Sequence, residues 1–214
     1  MKVLTLSVGK PQIVEVRPEE YVTTAIFKKP VAGRVAVGEL NLEGDAQADL
    51  TVHGGRNKAV YAYPSEHYEF WKSEFPEMVL PHAQFGENLT TEGLLETEVF
   101  IGDKLRIGTA EFVVTEPRMP CYKLGIKFGR TDILRRFLKS RRSGFYLAVL
   151  KTGELGGGDE IEFISRDENE VSVTDIVRLY VEDKNDFETM KRAVNVDVLP
   201  RGWKEQFRDR ILLA

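Results

Sequence analysis

Gly102-Asp103-Lys104-Leu105-Arg106-Ile107-Gly108-Thr109-Ala110-Glu111-Phe112-Val113-Val114-Thr115 reads as a Gly-Asp turn, a strand over Lys104 to Ile107, a second turn and a strand over Glu111 to Thr115. Alternating and β-branched residues suit a half-buried pleated surface, and glycine next to aspartate suits the tight reversal before it. The device is repeated at Gly158-Asp159-Glu160-Ile161, ahead of Glu162-Phe163-Ile164, so Gly156-Gly157-Gly158 is a turn rather than a dinucleotide loop. Outward from there, short alternating runs recur at Val3 to Val8, Ile13 to Val16, Ala25 to Lys28, Arg34 to Val37, Ala59 to Tyr63 and Phe145 to Leu150. Many short strands with such turns predict a mostly β fold built on a closed or nearly closed barrel of antiparallel strands.

Two helices are predicted between the strands. One follows Pro64, with Ser65 as its N-cap and Tyr68, Trp71 and Phe75 along one face until Pro76 ends it. The other is capped by Thr131 and carries Ile133, Leu134, Phe137 and Leu138 on its apolar side. After the charged stretch Arg166 to Glu170 the texture changes to three helical periods: Thr174 caps the first, Asp186 the second, and Pro200 opens the third. The expected organisation is a barrel domain over residues 1–165 and a small three-helix domain over 166–214, too short for a substantial core of its own and therefore docked on the barrel or a partner.

The 214 residues are 42% hydrophobic and 30% charged with a formal net charge of −4, which excludes a disordered chain and a protein that coats duplexes through overall basicity. No run is long enough to span a bilayer, and the apolar start is too short for a signal peptide's core, so a cytoplasmic protein without membrane partners is expected. Charge is nevertheless segregated. Arg118, Lys123, Lys127, Arg130, Arg135, Arg136, Lys139, Arg141 and Arg142 stand against the single acid Asp132, so this segment carries +8 and the rest of the chain −12. A solvated basic helix face accounts for part of it; Arg118 and Lys123, which flank the only cysteine, Cys121, fit that account less well.

Cys121 lies in Glu116-Pro117-Arg118-Met119-Pro120-Cys121-Tyr122-Lys123-Leu124, where two prolines hold the thiol rigidly at a strand's end. Cationic neighbours favour thiolate, the form that acts as nucleophile or metal ligand, whereas an isolated cysteine in an apolar setting is simply a small core residue. A second dense segment runs through Gly44-Asp45-Ala46-Gln47-Ala48-Asp49 to His53-Gly54-Gly55-Arg56-Asn57-Lys58. Its paired glycines permit close backbone approach to a ligand, although such a pair also serves as an ordinary turn. Phe85-Gly86-Glu87-Asn88 is a third cluster. Zinc-helix, Walker and nucleophile-elbow signatures are absent.

Taken in order, HGGRNKAVYAYPSEHYEFW, FGENLTTEGL and EPRMPCYKLG resemble the bacterial MOSC-domain proteins, the family of the molybdenum cofactor sulfurase C-terminal domain, in the subgroup with a C-terminal three-helix extension. The resemblance implies a MOSC β-barrel-like domain with a few helices plus a small C-terminal three-helix domain. It also implies binding of the molybdenum cofactor (molybdopterin) and reduction of N-hydroxylated compounds such as hydroxylaminopurine base analogues. Molybdopterin brings its own dithiolene sulfurs and a phosphate, so the protein needs one soft ligand and a set of cationic or backbone donors. On that reading Cys121 is the thiolate ligand to the metal, and His53 or Lys28 delivers protons. Arg118, Lys58, Arg56, Gly54, Gly55, Asn88 and Lys123 bind the cofactor. A separate electron-donating reductase is the expected partner, and no stable nucleic-acid binding is expected, since aromatic residues are not interleaved with the basic run. Two rivals stay open: a cysteine persulfide sulfur-transfer module without bound metal, and a basic surface that binds nucleic acid.

Overall fold

A computed structural model describes residues 1–48 and 54–214. The chain begins with β1 (Lys2–Val8), β2 (Gln12–Arg17), β3 (Glu20–Thr24), β4 (Lys29–Pro30) and β5 (Arg34–Val37), then a 3-10 turn (Arg56–Lys58), β6 (Val60–Pro64), α1 (His67–Glu74) and β7 (Leu89–Glu92). It continues through β8 (Lys104–Ile107), β9 (Ala110–Pro117), α2 (Tyr122–Phe128), α3 (Ile133–Ser140), β10 (Phe145–Lys151), β11 (Gly153–Gly156) and β12 (Ile161–Ser165). Three helices follow: α4 (Val173–Val181), α5 (Phe187–Asn195) and α6 (Arg201–Leu212).

Eight strands form one sheet in the order β12-β8-β9-β10-β6-β7-β1-β4. Backbone hydrogen bonds from Val3 to Asp159 (2.9 Å), from Gly158 to Val3 (2.7 Å) and from Ile161 to Met1 (2.9 Å) bring the first strand back to the last. The sheet thereby closes on itself as expected, and closure removes the unpaired edges of an open sheet. One pairing departs from the antiparallel expectation: β6 and β7 run parallel, Ala62 opposite Leu89, because α1 and the loop after it carry the chain across before it re-enters the sheet. The pairs β2-β3 and β5-β11 lie outside the ring.

Local chemistry explains where the elements differ from the sequence reading. Ala25 to Lys28 is not a strand; it links β3 to β4, with Ile26 in the aromatic cluster below. Helix α2, which starts right after Cys121, was not anticipated, since it has seven residues and an internal glycine, Gly125. Ser65 and Thr131 do not cap: the residues at the starts of α1 and α3 are Glu66 and Asp132, neither with a side-chain cap bond. At α4 the cap is Ser172 rather than Thr174, in a reciprocal box with Asp175. Asp186 caps α5 by accepting from Thr189 N at 3.0 Å, and Pro200 opens α6, both as expected.

Two apolar clusters hold these elements. The larger fills the barrel with Leu6, Val60, Leu89, Ile101, Phe112, Val114 and Leu147 and runs without a break into Ile176, Leu179, Met190, Trp203 and Phe207 of the terminal helices. The helices therefore bury their apolar faces on the barrel, as so short a unit must. Arg166 reinforces the junction: it pairs with the buried Asp103 at 3.1 Å and lies over the Phe100 ring at 3.9 Å. The second cluster packs α1, α2 and α3 through Tyr63, Trp71, Phe75, Phe85, Phe128 and Phe137. Beneath it the fully buried Glu87 accepts from Ala83 N (2.8 Å), Phe85 N (3.0 Å), Thr90 Oγ1 (3.1 Å) and the Tyr68 hydroxyl. A buried carboxylate needs such donors, and they explain most of the Phe85-Gly86-Glu87-Asn88 cluster as structure. Gly86 has φ +83°, and a Cβ there would meet Ile26 Cγ1 at 2.7 Å. Among the described residues no helix is long and apolar enough to cross a membrane.

Candidate functional site

Strand β9 ends at Pro117, and the chain turns through Arg118, Met119 and Pro120 to Cys121, which is half-buried in extended conformation (φ −124°, ψ 170°) at the start of α2. The thiol sits at the wall of a cavity of about 110 Å³ that Lys28, Asp45, Lys58, Asn88, Arg118 and Lys123 also line. Six residues singled out from sequence, Cys121, Lys28, Lys58, Asn88, Arg118 and Lys123, are thus brought to one place from four separate stretches of chain.

Arg118 is the most constrained of them. Its guanidinium lies 5.4 Å from the Tyr61 ring centre and 5.5 Å from that of Phe137, so aromatic faces support the cation from inside the protein. It is 6% exposed, and among the described residues its Nη1 has no hydrogen-bond partner. A buried, unsatisfied donor on a permanent cation costs free energy unless an anionic or acceptor group meets it.

Lys28 is held by the buried Asp45, whose other contacts are Gly9 N (2.8 Å) and Asn88 Nδ2 (2.9 Å). Burial pushes the Lys28 ammonium below the usual lysine range, against the opposing pull of Asp45. The amide of Asn88 is engaged inside the protein: Oδ1 accepts from Tyr61 N at 3.0 Å, and Nδ2 also donates to Ser7 O at 3.2 Å. Asn88 fixes the wall and, through Asp45, the position of Lys28. Behind the same wall Lys127 donates to Ile26 O at 2.8 Å and to Ala83 O, and burial lowers its pKa to about 8.

Lys58 marks the border with a second cleft of about 530 Å³, bounded by the Gly54 to Lys58 turn on one side and by Tyr180 and Trp203 on the other. Gly54, Gly55 and Arg56 belong to that cleft and do not line the cysteine cavity. Gly55 has φ +93°, a conformation that favours glycine, and its N–H donates to Gln47 Oε1 at 3.0 Å. Gln47 in turn donates to Lys58 O at 2.8 Å, tying the 44–48 segment to the turn. His53 lies outside the described residues.

Asp45, Gln47, Tyr61, Glu116 and Tyr146 also shape the site, and sequence reasoning did not assign them. Glu116 is 6% exposed; its Oε2 accepts from Trp203 Nε1 at 3.0 Å, and Lys58 Nζ stands 3.8 Å from Oε1. Burial raises its carboxyl above the usual glutamate range. Tyr61 and Tyr146 are likewise pushed up by burial and stay protonated at neutral pH.

Residues 49–162 match the MOSC domain and residues 171–212 match the YiiM-like, 3-alpha helix domain. The chain belongs to the MOSC-domain family. This MOSC protein is similar to YflK of Bacillus subtilis (strain 168), 40% identical over 213 residues that cover 98% of this chain and 96% of that one. The crystal structure of YiiM from Geobacillus stearothermophilus superposes with a TM-score of 0.82 at 34% identity, covering 98% of each chain. A protein named reductase from Gibberella moniliformis (strain M3125 / FGSC 7600) is 34% identical over 161 residues, 74% of this MOSC protein but 28% of that longer chain.

Proposed function

We propose that this MOSC protein is a molybdenum-cofactor-dependent reductase of N-hydroxylated compounds such as hydroxylaminopurine base analogues, with Cys121 as thiolate ligand to the metal. The observation that carries the reading is the conjunction of that single thiol with Arg118, whose buried Nη1 lacks a hydrogen-bond partner among the described residues at the same cavity. A pterin with a phosphate and dithiolene sulfurs suits this set: one soft donor, one permanent cation waiting for an acceptor, and Lys58 and Lys123 in the same wall. Among the described residues no group of three or more His, Cys, Asp or Glu side chains could hold a metal ion. The fungal relative named a reductase adds support for the reaction class.

When bound, the cofactor would supply the two-electron chemistry that cleaves an N–O bond, with electrons from a separate reductase. Two protons must enter as amine and water leave. Lys28 is suited to hold one of them on Nζ, because burial brings the ammonium below its usual range while Asp45 and Asn88 keep the group in position. Arg118 stays charged throughout and orients, since guanidinium does not titrate in this range. Tyr61 and Phe137 shield its cation from water.

Protein made in a host that synthesises the cofactor, analysed for molybdenum and pterin and assayed on an N-hydroxylated purine, tests the reading. Cys121→Ser should keep the fold, because the swap is close in size, and should abolish reduction while altering the metal's absorption, because a hydroxyl is a harder and far less acidic donor. A serine variant that still reduces the substrate, or a wild-type protein that carries labile sulfur and no pterin, would reject it; the second outcome would assign the persulfide role instead.

A further inference from the structure

The cleft on the far side of Lys58 differs from the cysteine cavity in being walled by the terminal helices. Its walls include Tyr180 of α4, Trp203 and Gly202 of α6, and Met119, facing the peptide backbone of the Gly54-Gly55 turn. Tyr180 and Trp203 meet edge to face with ring centres 5.5 Å apart, and Tyr180 keeps 40% of its surface exposed. Arg56, Asn57, Lys58, Glu116 and Gln206 line it as well, and aromatic walls beside a few convergent polar groups are the ordinary make-up of a small-molecule site. Of these polar residues Glu116 is the one that is buried. Trp203 donates to one of its oxygens, whereas the other, Oε1, is buried and has no hydrogen-bond partner among the described residues. An unsatisfied buried acceptor calls for a donor. The nearest cation, Lys58 Nζ, is 3.8 Å away, beyond hydrogen-bond reach yet close enough to balance the charge. A neutral molecule with an N–H edge therefore suits the site better than a cation.

We propose that this cleft is the subsite for the flat heteroaromatic ring of the substrate, with Glu116 Oε1 accepting from the ring's N–H edge and Tyr180, Trp203 and Met119 forming its apolar wall. Lys58 borders both spaces, so a ring seated here lies next to the cavity that holds Cys121. The assignment rests on the proposed reductase reading for the identity of the ring, but binding itself requires neither cofactor nor turnover. It also gives the terminal helices a part in recognition, since Tyr180, Gly202 and Trp203 all come from them.

Calorimetric titration of the full chain with adenine, with 6-hydroxylaminopurine and with benzamidinium tests the proposal. Saturable one-to-one binding of the two purines is expected, with benzamidinium weaker. Gly202→Leu is the decisive variant, because a Cβ at Gly202 meets nothing within 4 Å and leucine is the better helix former, so the added side chain occupies the cleft without strain. It should weaken purine binding by about tenfold or more. Glu116→Gln, which keeps an acceptor for Trp203 and removes the charge, should weaken it by about tenfold. Absent purine binding, tighter binding of benzamidinium, or purine binding unaffected by Gly202→Leu would each overturn the subsite. If the cofactor-loaded protein reduces substrate while Gly202→Leu leaves KM unchanged, the subsite fails and the reductase reading stands. If purines bind and Gly202→Leu blocks them but the loaded protein reduces nothing, the reverse holds.

Discussion

The basic run from Arg118 to Arg142 has two ends with opposite surroundings. At the first, Arg118 and Lys123 are buried against a cavity, and Arg118 has a guanidinium nitrogen without a partner among the described residues. At the second, Arg130, Arg136 and Arg141 lie nearer the surface and are answered by acids. Arg130 pairs with Asp132 at 2.6 Å and with Glu77 at 3.2 Å, Arg136 with Glu74 at 2.7 Å, and Arg141 with Glu182 at 3.2 Å. The +8 that stands out in the sequence is therefore no uniform positive face. A charge count along a chain does not distinguish a cation that awaits a ligand from one already neutralised across a helix packing, and only the first kind marks a site.

The comparison breaks most visibly at the buried pair that supports the cavity. Asp45→Ala leaves Lys28 buried and unpaired and releases Gly9 N and Asn88 Nδ2, so a loss of about 3–5 kcal/mol in denaturant stability is expected. A loss below about 1 kcal/mol would mean that the wall is not held this way. Next in size, Arg118→Met keeps much of the stacking volume against Tyr61 and Phe137 but removes the unpartnered donor. On the proposed reading the affinity for the cofactor should fall by about 10- to 100-fold, the worth of a charge-assisted hydrogen bond. Equal losses in Arg118→Met and Arg142→Met would point to a diffuse electrostatic surface instead.

Away from both regions, Asp186 offers a pH-resolved control. Arg178 at 2.7 Å and the Thr189 amide hold its carboxyl at about 2, below the unfolded value. A depressed carboxylate contributes stability that is present above the unfolded pKa and lost as pH falls through the folded one. Asp186→Ala should thus cost about 1 kcal/mol at pH 7, with the difference from wild type shrinking below about pH 4. A difference that persists unchanged at pH 2 would assign it to something other than charge. The smallest effect is expected at Arg136→Ala, whose partners are surface groups: little or no change in melting temperature and none in metal or pterin content.

How much of this was legible depends on how far each residue's partner lies along the chain. Arg34 to Val37 and Lys104 to Ile107 were read with their observed bounds, because strict alternation between glycine turns is a local signal. Cys121 and Arg118 stand out as unusual residues in unusual company, whereas Lys28 is pointed to only by the family resemblance. The supports of the site were not legible: Asp45 meets Lys28 at a separation of 17 residues and Asn88 at 43, and Glu116 meets Trp203 at 87, so no spacing rule could join them. Asn88 itself was picked out as a ligand-binding group, while the structure engages its amide with Tyr61, Ser7 and Asp45. Arg166 to Glu170 read as a charged connector. The structure instead pins it, through Arg166 on Asp103 and through Arg192 Nη1, which donates to the Asn169 and Glu170 carbonyls at 3.0 Å. Limited proteolysis is therefore expected to be slow there despite its composition, and rapid cutting at that stretch would show the two parts to be less coupled than their shared core implies.

The seam between Met1–Val3 and Gly158–Ile161 also sets an order of events during synthesis. Strand β1 emerges first, yet the partner that closes the ring beside it is made only after residue 161 leaves the ribosome, on the order of ten seconds later at ordinary elongation rates. Until then one side of β1 presents unpaired amides and carbonyls, with Leu6 and Val3 beside them, to any other nascent strand. Contacts between such distant parts of a chain form slowly, so the nascent protein passes through a window in which aggregation competes with closure. Overproduction at lower temperature, or with a holdase chaperone present, should raise the soluble fraction without changing the folded protein.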